Sequence, residues 1–95
     1  MFNWQKTKNL LKAKSITTTK IRQENLLPQS TLTKLNMLSS EHNGIDGAKE
    51  IEKKLNDYEK KNGKPFNSGM TTATIETLCT LLDCEPCDLF EYVKL

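Results

Sequence analysis

A chain of 95 residues, 36% hydrophobic and 27% charged, is sized for one small globular domain and leaves little room for a large substrate pocket beside a self-sufficient catalytic scaffold. A single histidine argues against His-based catalysis, three cysteines against a secreted disulfide framework, and no apolar run approaches the roughly 20 residues that span a bilayer, so a cytoplasmic binding module is expected. The net charge of +2 conceals a polarity that suits the N-terminal end to an anionic partner: residues 1–38 carry seven cations against Glu24 alone, residues 39–69 carry six charges of each sign, and residues 70–95 carry five anions against Lys94.

The first helix is predicted over about Asn3 to Ala13, with Trp4 and Leu11 seven residues apart on one face, Leu10 beside them and lysines around the rest. Thr17 is placed to cap a second short helix reaching Glu24; Asn25-Leu26 breaks it, and Pro28 opens a third helix that runs to about Leu38. Ile21, Leu27, Leu32 and Leu35 meet inside this pair and leave Gln29, Ser30, Thr31 and Lys34 outside, a helix-turn-helix pattern.

Gly44, Gly47, Gly63 and Gly69 all fall in the middle third and set off residues 39–69 as a segment of their own. Within it Ala48, Ile51, Leu55 and Tyr58 recur at helical spacing, with Glu50–Lys54 and Asp57–Lys61 as i,i+4 pairs, until Asn62-Gly63 stops the helix. The apolar stripe is narrow. Such a helix is expected to lie on the domain or on a partner, and to be replaceable by a short loop without loss of folding. Farther on, Ile75, Leu78, Cys79 and Leu82 follow i, i+3, i+4, i+7 behind a capping Thr71. Glu85-Pro86 then restarts a short turn, with Leu89 and Phe90 apolar, and Tyr92-Val93 closes in an extended or strand-like form.

Ile16-Thr17-Thr18-Thr19-Lys20-Ile21-Arg22 and Pro28-Gln29-Ser30-Thr31-Leu32-Thr33-Lys34-Leu35 resemble the helix-turn-helix of the Cro/repressor-type, or XRE-like, family. Residues 75–93, with Cys84, Pro86, Asp88-Leu89 and Glu91-Tyr92, resemble even more closely the end of its small bacterial and phage members. The likeness covers residues 2–38 and 70–95. It implies an all-α fold in a single domain spanning residues 1–95: a five-helix Cro/repressor-like helix-turn-helix domain with an additional inserted helix at 39–69 and a short C-terminal strand. Three features depart from the family pattern. Leu26 stands where a turn glycine is usual, so that Asn25 is the cheaper bearer of the left-handed backbone; Thr7 and Lys8 stand where apolar residues are usual; and residues 39–69 have no counterpart in the compact members.

By that resemblance the second helix braces against phosphates and the third enters the major groove. Thr18 and Thr19 then suit phosphate oxygens, while Gln29, Ser30, Thr31 and Lys34 suit base edges, since Gln can pair adenine N6 and N7 and Lys can reach guanine O6 and N7 or a phosphate. The expected function is sequence-specific double-stranded DNA binding by a transcriptional regulator of a bacterium or its phage, repressing by occlusion, without catalysis or cofactor. A homodimer on a two-fold site is expected, joined through Leu89, Phe90, Tyr92 and Val93 or through the insertion stripe. The competing class is a protein-interaction module, antitoxin-like or phage-encoded, that uses residues 39–69 to hold a protein partner.

Cys84-Glu85-Pro86-Cys87 raises a redox or zinc reading, but a thioredoxin-like site needs a βαβ setting and a closed zinc site needs four ligands, where only Cys79 and the remote His42 are added. Cys79 and Cys84 are expected in the core, His42 alone on a surface loop, and Trp4 and Tyr92 in core and edge packing.

Overall fold

In the computed structural model, which describes residues 1–95, the chain opens in a strand β1 (Phe2–Asn3) and continues through α1 (Gln5–Ala13), α2 (Thr18–Gln23), α3 (Gln29–Met37), α4 (Gly44–Asn62) and α5 (Thr72–Leu82). A 3-10 turn (Pro86–Asp88) and a strand β2 (Glu91–Tyr92) close it. β2 pairs antiparallel with β1, Phe2 opposite Tyr92 and Asn3 opposite Glu91. The fold is therefore all-α, with α4 lying within residues 39–69 and a minimal sheet joining the two ends. No helix is long and apolar enough to cross a membrane.

The local signals act where the side-chain chemistry requires. Thr17 accepts a hydrogen bond from the Lys20 N–H at 3.1 Å and Thr71 from the Thr74 N–H at 3.2 Å, each satisfying a first-turn donor that has no helical partner. Asn25 takes the left-handed conformation of the turn at φ 55°. Two boundaries move. Pro28 is the cap of α3 and not its first residue, because its ψ of 150° is extended and helical geometry begins at Gln29. The first helix begins at Gln5, since Asn3 is drawn into the sheet and Trp4 becomes the cap.

One apolar core joins every helix. Trp4, Leu11, Ile21, Leu27, Leu32, Leu35, Leu38, Ile51, Leu78, Leu82 and Leu89 form a single cluster, each side chain worth about 1.5–3 kcal/mol when fully removed from water. Ala48 and Ile51 of α4 have no exposed surface at all. The inner half of α4 is thus a wall of the core, which weighs against the expectation that residues 39–69 can be exchanged for a short loop, since removing them strips Ile51 from the cluster and uncovers its neighbours.

Polar contacts fasten the same elements. The Trp4 N–H donates to the Leu38 carbonyl at 2.8 Å, tying the start of α1 to the end of α3. Thr7, one of the departures from the family pattern, is fully buried and donates its hydroxyl to the Leu89 carbonyl at 2.8 Å, locking α1 to the terminal turn. The expected Glu50–Lys54 pair does not form. Lys54 instead donates to the Ser39 carbonyl, just past the end of α3, at 2.7 Å and to the Asn36 carbonyl in its last turn at 3.4 Å, beside the negative end of the α3 dipole.

Candidate nucleic-acid interface

Helices α2 and α3 are joined by the turn at Asn25, which the Leu26 N–H closes on the Ile21 carbonyl at 3.0 Å. Ile21 and Leu27 hold this turn from within, and Leu32, Leu35 and Leu38 seat α3 on the core. The outer face is left to polar and cationic side chains: Thr18, Thr19, Lys20 and Arg22 of α2 are exposed, as are Gln29, Ser30 and Thr33 of α3. Neither helix carries an acid in its first turn. Glu24, the only anion among residues 1–38, sits at the C-terminal cap of α2.

One expected contact residue is misplaced. Thr31 is 5% exposed and turned into the core. At 100° per residue it lies within about 40° of Leu35 around the helix, so it shares the buried face. Thr33 takes the outward position expected of Thr31 and donates its hydroxyl back to the Gln29 carbonyl at 3.0 Å. The helical spacing that sets Leu32 and Leu35 inward contained this information. Lys34 is half-buried, and its ammonium donates to the Gly69 carbonyl at 2.6 Å, which brings the segment returning from α4 alongside α3. No local signal in the sequence pairs residues 34 and 69.

The insertion stripe is spent inside the molecule. Ala48 and Ile51 are in the core, Leu55 is half-buried, and Tyr58 meets Phe66 edge to face at 5.1 Å between ring centroids. Leu89 is fully buried, so it cannot belong to a docking face as expected; Phe90 is half-buried against Trp4 and Phe2, and Phe2 and Tyr92 remain 46% and 60% exposed with their rings 5.0 Å apart.

His42 is exposed but not alone. Its Nδ1 lies 2.9 Å from Glu50 Oε2, which also accepts from the Ser40 hydroxyl at 2.8 Å. The hydrogen bond and charge of Glu50 raise the His42 pKa above its ordinary 6.5, and the bonds from His42 and Ser40 hold the Glu50 carboxyl below the usual carboxylate value. Among the cysteines, Cys79 and Cys84 are half-buried against the core and Cys87 is exposed. Burial pushes the Cys84 thiol up, the opposite of what a reactive thiolate requires. No three His, Cys, Asp or Glu side chains converge on a point that would hold a metal ion.

Residues 55–94 match the model of a protein family described as the Cro/C1-type HTH DNA-binding domain. The match runs from the middle of α4 to β2, so the cationic pair α2–α3 lies ahead of it in the chain. No curated protein and no solved structure matches the chain.

Proposed function

From the match of residues 55–94 to the Cro/C1-type HTH DNA-binding domain, we propose that the chain is a sequence-specific regulator of transcription that binds double-stranded DNA through α2 and α3, represses by occluding its site, and performs no catalysis. The observation that carries this reading is the two-sidedness of α3: Leu32 and Leu35 fix the helix to the core while Gln29, Ser30 and Thr33 face outward beside the acid-free cations of α2. A rigidly seated helix with amide and hydroxyl groups outside suits direct reading of base edges, and Thr18, Thr19, Lys20 and Arg22 suit phosphates. Thr33 replaces Thr31 in the set of base-reading candidates. Lys34 keeps two of its three donors for a base or phosphate while the third holds Gly69.

A homodimer follows from the same reading, since one short helix reads few base pairs and two half-sites about 34 Å apart raise affinity and specificity together. The exposed rings of Phe2 and Tyr92 offer an apolar surface for that contact.

The test is selection of a preferred duplex from a randomised pool, followed by titration at two salt concentrations. Affinity is expected to fall steeply with salt. Gln29→Ala is expected to cost about 1–3 kcal/mol on the selected site and to relax preference at one or two positions. Absence of duplex binding, or binding indifferent to salt, refutes the proposal.

A further inference from the structure

Resting on the reading of α2 and α3 as the duplex-binding pair, we propose that the hairpin made by the outer half of α4 and the segment returning from it is a second duplex-contacting element, a lysine-tipped arm that neutralises phosphates flanking those met by α3. Its place is set by two lysines. Lys54 fixes its base to the Asn36 and Ser39 carbonyls at the end of α3, and Lys34, on α3 itself, holds the returning chain at the Gly69 carbonyl. The arm therefore borders the helix that carries Gln29, Ser30 and Thr33 outward.

It is a built element. Its inner end is anchored by Ala48 and Ile51, Tyr58 and Phe66 pack across it, and Gly63, at φ +73°, closes α4 with its N–H on the Glu59 carbonyl at 2.8 Å. Such a left-handed closure suits glycine and turns the chain back sharply. Beyond Glu59 no acid occurs until Glu76, while Lys60, Lys61 and Lys64 are all exposed. Lys60 and Lys61 also complement the negative end of the α4 dipole, but Lys64 lies past the helix, where that effect fades within a turn.

Reach and partner chemistry agree. Lys64 is five residues from Gly69, at most about 18 Å of extended chain, which is well within the roughly 34 Å of one duplex turn. A duplex carries a negative charge about every 1.7 Å of its axis, so phosphates are present wherever this arm meets it. Near the tip Tyr58 packs on Phe66, and the exposed charged side chains that the arm offers beyond Glu59 are lysines, which suit an anionic partner.

The experiment compares the full chain with the triple variant Lys60→Ala, Lys61→Ala, Lys64→Ala, measuring affinity against salt on the selected duplex and on an unrelated one. Each phosphate contact adds about 0.9 to the slope of log affinity on log salt. The triple variant is expected to lose about 2–3 from that slope on both duplexes, with base preference unchanged, and the Lys→Arg triple to recover it. If the wild type binds and the alanine variant keeps its slope, the arm makes no phosphate contact and the inference falls, even if the variant melts earlier through loss of dipole compensation. If the wild type binds no duplex, the underlying DNA reading falls first, a result plainly distinct from an unchanged slope.

Discussion

Replacing Asn3 with alanine removes the side chain that joins the start of the chain to the loop after α3. Asn3 is 2% exposed and makes four hydrogen bonds: Nδ2 donates to the Ser40 and His42 carbonyls at 3.2 and 3.3 Å, and Oδ1 accepts from the Gln5 and Ser40 N–H groups, each at 3.1 Å. The bonds to Ser40 are buried, whereas those to Gln5 and His42 are partly buried and open to replacement by water. Leaving the Ser40 N–H and carbonyl unpaired costs about 1–3 kcal/mol for the donor and less for the acceptor, or about 2–4 kcal/mol in all. A domain of this size holds about 5–15 kcal/mol, so the variant folds but melts about 10–30 °C lower. Asn3→Asp separates the two halves of the clasp, because a carboxylate still accepts from Gln5 and Ser40 but faces two carbonyl oxygens. It is expected to be at least as damaging at neutral pH and to recover partly in acid, where the protonated carboxyl regains a donor. Thermal and urea melts give the magnitude, and hydrogen exchange at the Ser40 amide locates the opening. An Asn3→Ala variant within 0.5 kcal/mol of wild type would refute the reasoning.

Gly47→Ala places a Cβ onto the backbone carbonyl of His42, and neither group is the free end of a flexible side chain. Helix propensity alone favours alanine by about 1 kcal/mol, so a net loss of about 2 kcal/mol or more in a urea melt is expected, and any gain in stability counts against the packing described. For His42 and Glu50 the signs are opposite. The raised His42 pKa gives stabilisation that is complete below about 6.5 and lost as pH rises through the folded value, and the lowered Glu50 pKa gives stabilisation that is lost as pH falls through its own depressed value. The pair therefore acts between the two folded pKa values. NMR titration of the imidazole should place His42 above 6.5 and return it toward 6.5 in Glu50→Gln; a His42 titration unmoved by that substitution would show that Glu50 is not the cause.

The helix-turn-helix was legible because its signals are local. Thr17 and Thr71 cap through bonds three residues away, Asn25 bears the left-handed turn in place of Leu26, and helical spacing puts Leu32 and Leu35 on one side of α3, while Ile21 and Leu27 lie within a few residues of the turn they pack under. The same geometry separates Thr31 from Thr33, so that distinction was present in the sequence too. What tertiary structure alone decided are the meetings of distant segments. Asn3 reads as helical from its neighbours, yet Ser40, 37 positions away, and pairing with Glu91 hold it extended. Glu50 and Lys54 read as a solvated pair, yet each finds a better partner once α4 lies against the end of α3: the Ser39 carbonyl for Lys54, and His42 with Ser40 for Glu50. The narrow stripe of α4 looked too thin to be enclosed, but Ala48 and Ile51 vanish into the core and Lys34 turns to Gly69, because burial depends on which surfaces the chain brings together and not on the periodicity of either one.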